Sequence, residues 1–149
     1  MNIINENCIA LLEEADTAEE GIVIAGEVLK SQGYIKQSYI DAMLKNFETS
    51  GPYFAIAPGF AMPHARPEDG VIKSGIGLIT LKSPVSFGSA NDPIRIIMTL
   101  ATSSDDEHLQ FMSKIAMLLG QKQMIEKLYE CRTAEEAALL LNDNQEKEN

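Results

Sequence analysis

Apolar positions along this chain change their spacing repeatedly, and each change marks an element. Cys8 to Leu12 (Cys-Ile-Ala-Leu-Leu) is a short apolar run that reads as a first strand. Thr17, with Glu20 three residues on, has the spacing of a capping box. It opens a helix whose core face is Ile22, Ala25, Gly26 and Leu29, and Gly33 is placed to end it. A second helix is expected over Gln37 to Glu48, with Ile40, Met43, Leu44 and Phe47 turned inward. Ser50-Gly51-Pro52 stops it and leads into Tyr53 to Ala57, which reads as a buried strand.

From Pro58 to Gly77 the periodicity is lost and Gly and Pro are dense, with one cluster, Pro63-His64-Ala65-Arg66-Pro67. A loop of this length on a small domain is more often functional than idle. Strand patterns return at Gly75 to Leu81, at Val85 to Phe87 and at Ile94 to Ala101. The last is almost wholly apolar, as in a central strand covered on both faces. The short Val85–Phe87 link is compatible with a hairpin, which would make the sheet mixed. Ser104 and Glu107 form a second capping box, for a helix running to about Leu119. Met124, Ile125 and Leu128 give a short helix, and Thr133 with Glu136 caps a last one ending near Leu141. Strands alternating with helices predict a single α/β domain, a mixed sheet of about five strands flanked by helices on both faces. The domain is taken as residues 1–142, and the polar segment 143–149 is expected to be disordered.

Composition narrows the function classes. With 149 residues, 45% hydrophobic and 23% charged, the chain can bury one substantial core. It contains no apolar stretch of about 18 residues, so no membrane insertion is expected, and no signal peptide is expected from the N-terminal residues. Cys8 and Cys131 lie far apart, outside metal-ligand spacing, and read as reduced core thiols of a cytoplasmic protein. The formal charge of −10, with scattered Lys and Arg, argues against a nucleic-acid partner. An acidic surface suits docking to a basic protein patch instead.

The chain has two histidines, and both stand where chemistry is feasible. Pro63 fixes its own φ and pushes Met62 toward an extended conformation, so His64 is presented stiffly. An imidazole, with its ordinary pKa of about 6.5, is mostly neutral at pH 7 and keeps a free lone pair able to attack phosphorus. The alternative is an ordinary surface histidine. His108 falls in the first turn of the helix after the apolar strand, where free N–H groups and the helix dipole favour a phosphate. It either donates to a phosphoryl oxygen or simply faces water. Asp105, Asp106 and Glu107 would repel a dianion unless Glu107 caps the helix and the aspartates turn outward. Arg66 is two residues from His64 and would share its face on an extended segment. It could pair with phosphoryl oxygens or with an acidic group of a partner, or remain solvated. No zinc-ligand spacing, nucleophile elbow, Walker loop or dinucleotide glycine motif occurs, and no cofactor is expected.

The run Ile56-Ala-Pro-Gly-Phe-Ala-Met-Pro-His64-Ala-Arg-Pro-Glu-Asp-Gly-Val71 resembles the active-site segment of the fructose/mannitol-type enzyme IIA family of the phosphoenolpyruvate-dependent sugar phosphotransferase system (PTS). The likeness continues in order through Thr17-Ala-Glu-Glu, Ala25-Gly-Glu27, Gly33-Tyr34, Val85-Ser-Phe-Gly88, Asn91-Asp-Pro93, Glu107-His-Leu109 and Thr133-Ala-Glu-Glu. The resemblance implies that His64 accepts a phosphoryl group from the phosphohistidine of HPr. It implies transfer onward to a cysteine of enzyme IIB, which serves sugar import by the membrane enzyme IIC. His108 matches the family's second active-site histidine, and the family fold is a mixed sheet flanked by helices. Mannitol-type members carry an arginine where this chain reads Leu44-Lys45-Asn46-Phe47, and either Arg66 or Lys45 could take its role. The Pro-His-Ala-Arg-Pro-Glu form looks more like ascorbate-type members, with galactitol-type members a further possibility. The implied substrate is L-ascorbate or a related sugar or polyol. Phe60, Ala61, Met62 and Ala65 are expected to line an apolar depression around His64, with Phe60, Met62 and Ala65 docking partners. Two rival readings are a regulatory module that signals its phosphorylation state to a protein, and a metal-assisted hydrolase built on the two histidines.

Overall fold

A computed structural model describes residues 3–147, with side chains through residue 142. Strand β1 is Ile9–Glu13 and helix α1 is Ala18–Ser31. Thr17 caps α1, its hydroxyl accepting the Glu20 N–H at 3.1 Å. Gly33, at φ +81°, turns the chain out of the helix in a conformation a side chain would resist. Helix α2 is Gln37–Ser50 and buries Tyr39, Ile40 and Met43. Strands β2 (Ala55–Ala57) and β3 (Phe60–Ala61) form a tight hairpin. Pro58 and Gly59 (φ +78°) make its turn, the pair a type II turn favours. Then come β4 (Gly75–Val85), β5 (Ile94–Ala101), α3 (Asp105–Leu119), α4 (Met124–Glu130) and α5 (Ala134–Lys147).

The strand order is β1-β4-β5-β3-β2. Strands β1 and β4 are parallel, β4 and β5 antiparallel, β5 and β3 parallel, β3 and β2 antiparallel. The sheet is therefore mixed, with five strands, as the alternating pattern predicts. Alternate residues of β5 feed two cores. Ile94, Ile97 and Ala101 join the side covered by α1 and α2, while Ile96, Met98 and Leu100 join the side covered by α3, α4 and α5. Burying each large aliphatic side chain contributes about 1.5–3 kcal/mol, so β5 anchors both layers at once.

Three expectations change. Tyr53 is 84% exposed in a 3-10 turn over Gly51–Phe54, and only Ala55–Ala57 is strand, at the sheet edge. Pro52 fixes a turn-compatible φ there, so the apolar run is split before it can pair. Val85 is no separate strand; it ends β4 and pairs with Ile94 across a register shift after Thr80. Pro84 sits in that irregular stretch, where no ladder N–H is needed. At the C-terminus the α5 backbone runs on to Lys147, past the expected end near Leu141, while residues 148–149 of the expected disordered tail lie outside the described residues.

Asn142 explains part of that extension, because it is a buried clamp. Its Oδ1 accepts the N–H groups of Ile3 (2.8 Å) and Ile4 (3.2 Å), and its Nδ2 donates to the Ile4 carbonyl at 3.1 Å. Replacing Asn142 with Ala would strand three buried backbone groups, and we expect a loss of about 2–3 kcal/mol. A chemical-denaturation midpoint equal to that of the parent would contradict this.

Candidate active site

Because β3 and β5 are parallel neighbours, the chain leaves both strands at the same sheet edge. His64 follows β3 by three residues, and His108 lies in the first turn of α3, which follows β5. Their rings meet there, with centroids 5.6 Å apart and planes inclined by 54°. Phe54 lies on another side of His64, ring centroids 5.5 Å apart. Both histidines are half-buried.

The backbone around His64 is fastened at nearly every residue. Met62 N–H donates to Phe54 O (2.8 Å), Leu100 N–H to Pro63 O (3.1 Å) and Asn46 Nδ2 to His64 O (3.4 Å). Ala65 N–H donates to the Tyr39 hydroxyl at 2.9 Å, and that hydroxyl donates to Leu100 O at 2.6 Å. Burial pushes the Tyr39 phenol up to about 12, so it keeps its proton and can donate. The His64 Nδ1 atom lies 2.9 Å from the Met62 carbonyl oxygen. A carbonyl can only accept, so Nδ1 carries a proton and the lone pair of the neutral ring is on Nε2.

His108 is held below the usual imidazole range, chiefly by burial and next by the neighbouring His64; Asp105 pulls the other way. It is thus neutral at pH 7 and has one N–H to donate. Ser104 caps α3, accepting the Glu107 N–H at 3.2 Å. Glu107 accepts the Ser103 hydroxyl at 2.9 Å, and the Ser74 and Ser103 hydroxyls hold its carboxyl below the usual carboxylate range. Its charge is therefore engaged with serines. Asp106 is exposed, as is Asp105, although the latter's charge still reaches His108.

The expected docking surface needs correction. Phe60 and Met62 are 0% and 1% exposed and pack into the core beneath α3, α4 and α5. They lie where the sheet is covered on both faces, whereas His64 lies beyond the end of β3, so a partner cannot touch them. Ala65 is only half-buried. Arg66, with its side chain 75% exposed, pairs with Glu68 at 3.3 Å and Asp69 at 3.6 Å within its own turn. Lys45 is exposed on α2, and Asn46, the next residue, makes the contact to the His64 segment. The sequence reading missed Tyr39, Asn46 and Phe54 as parts of the site. Only Tyr39 offered a signal: a hydroxyl on the apolar face of α2 must find a buried partner.

Compared with known proteins, the chain matches the family described as "Phosphoenolpyruvate-dependent sugar phosphotransferase system, EIIA 2" over residues 2–144. It belongs to this family. An ascorbate-specific PTS system EIIA component of Salmonella choleraesuis is 38% identical over 143 residues, 95% of this chain and 93% of that protein. Among solved structures, the PTS IIA protein PtxA of Streptococcus mutans has a TM-score of 0.88 at 31% identity, covering 95% of this chain and 90% of that one. The Escherichia coli complex of enzyme IIA-mannitol with phosphorylated enzyme IIB-mannitol matches with a TM-score of 0.77 at 31% identity, covering 91% and 94%. As an EIIA component, this chain is a phosphoryl carrier of the sugar phosphotransferase system.

The ring–ring proximity is measurable. The His108 pKa, followed by imidazole proton resonances, is expected below the ordinary 6.5. In a His64→Gln variant it should move upward, since one of the two depressing causes is gone. An unmoved value would separate the rings.

Proposed function

We propose that His64 Nε2 takes a phosphoryl group from the phosphohistidine of HPr and passes it to a cysteine of enzyme IIB. The reading rests on the contact of His64 Nδ1 with the Met62 carbonyl, which leaves Nε2 as the nucleophile. In the first transfer the Nε2 lone pair forms a bond to phosphorus. The bond from phosphorus to the donor imidazole breaks, and its electron pair stays on the donor nitrogen. The His64 ring, now substituted on both nitrogens, carries one positive charge, and its Nδ1–H still bonds the Met62 carbonyl. That charge makes the imidazole a good leaving group. When the IIB thiolate attacks phosphorus, the P–Nε2 pair returns to His64 and the ring is neutral again.

Phosphoryl transfer asks the protein mainly for alignment and for charge stabilisation at the equatorial oxygens. The neutral His108 N–H, 5.6 Å away by ring centroid, and the α3 amino terminus supply the second. Docking falls to side chains that flank the histidines and remain exposed, Tyr53 (84%) and Leu109 (66%), together with Ala65. Such contacts are small, as a carrier that must leave one partner for the next requires. Among the described residues no helix is long and apolar enough to cross a membrane, in keeping with a cytoplasmic carrier that reaches enzyme IIC only through IIB. The likeness to ascorbate-specific relatives and the Pro-His-Ala-Arg-Pro-Glu form support L-ascorbate or a related sugar or polyol as the transported substrate.

With phosphoenolpyruvate, enzyme I and HPr, the protein should acquire one acid-labile phosphate, mapped by mass to His64. His64→Ala abolishes it; a label persisting in that variant would move the site elsewhere. His108→Ala is expected to fold normally and to slow transfer about 100- to 1,000-fold, the size of effect typical of one lost charge-stabilising donor. Delivery to a panel of IIB proteins tests the substrate class. Phosphorylation with no acceptor among them would favour the regulatory reading.

A further inference from the structure

Between β3 and β5 the ladder continues past the two residues of β3. The register pairs Phe60 with Ile96 and Ala61 with Ile97, and carried forward it sets His64 opposite Leu100. In a parallel ladder, a residue bonds the two neighbours of the residue it faces. Leu100 should therefore donate its N–H to Pro63 O and accept the N–H of Ala65. The first bond is made at 3.1 Å. The second is not direct. The Tyr39 hydroxyl stands in the gap, accepting the Ala65 N–H at 2.9 Å and donating to Leu100 O at 2.6 Å. The preceding rung would need an N–H from residue 63, which is proline and has none. Tyr39 is thus the fastening that holds the far side of the His64 segment to β5.

We infer that Tyr39 is a positioning residue for phosphoryl transfer, its hydroxyl serving as an inserted rung that sets the separation between the His64 segment and the β5 end leading to His108. The inference rests on the carrier reading above and deepens it. The side chain reaches this point from the buried face of α2, and its other contact, to Ala65 O, is longer at 3.2 Å. Without the hydroxyl, the two chains would either close to a direct hydrogen bond, a shift on the order of 1–2 Å, or leave both groups unpaired. An error of about 1 Å in the placement of reacting atoms can lower a rate about a hundredfold.

The test is Tyr39→Phe, which deletes one oxygen, compared with the wild type for phosphoryl uptake from phosphorylated HPr. The limiting rate is expected to fall about 10- to 100-fold, with half-saturating HPr unchanged because the docking side chains are untouched. The nuclear Overhauser contact between the His64 and His108 rings should weaken in parallel. Ile22→Val, a core truncation on α1, serves as the control for a general loss of stability and should keep the wild-type rate. Transfer by Tyr39→Phe at the wild-type rate, or an equal slowing in Ile22→Val, would overturn the inference. Wild-type protein that takes no phosphoryl group would instead overturn the carrier reading itself. If Tyr39→Phe does not fold, hydrogen exchange in the wild type decides. Slow exchange of the Ala65 amide supports the inserted rung, and exchange at the rate of an unprotected amide refutes it.

Discussion

The parallel pairing of β3 with β5 is the constraint on which the site depends. Two strands that run the same way side by side release their chains at one edge, so residues remote in sequence arrive together. The contact of His64 with His108 follows from that geometry. Strand β3 is only two residues long, yet it is not weakly held. Arg95 N–H and Ile96 N–H both donate to Gly59 O before it, and Leu100 N–H donates to Pro63 O after it. The ladder is longer than the strand, and β5 lies within it as the strand that feeds both cores.

Position along this segment, not the face a residue takes, separates core from chemistry. Along Phe60, Ala61 and Met62, successive side chains enter one core, then the other, then the first again. Two residues later the imidazole stands at the rim with Nδ1 committed to a carbonyl. Phe60 and Met62 are therefore out of a partner's reach. Charge follows the same economy: three acidic residues open α3 beside the place a phosphate would occupy, and Glu107 among them is taken up by Ser74 and Ser103.

Much of this was legible because it is local. Thr17, Ser104 and Thr133 cap their helices, each accepting the N–H of the glutamate three residues on. The bounds of β5 and α3 coincide with their apolar patterns. His64 stood out by its frame of prolines and glycines, and His108 by its helix start. What escaped the sequence depends on pairing at a distance. A two-residue strand such as β3 leaves no alternation to count. Pro84 in β4 imitates a strand end because the irregular stretch of β4 that tolerates it shows only in the register against β5. Phe60 and Met62 read as surface in the sequence because an apolar residue beside a reactive one looks the same whether it faces water or the core. Asn142 reads in the sequence as the border of a polar tail because the backbone groups it satisfies lie at the other end of the chain.

Tyr39 carries one more implication. A phenol held near pH 12 does not change charge anywhere in the interval where imidazoles exchange their protons. The scaffold beneath the two histidines therefore has no titration of its own at that anchor point. Acidification through that interval alters the electrostatics of the rings without changing the charge at this anchor.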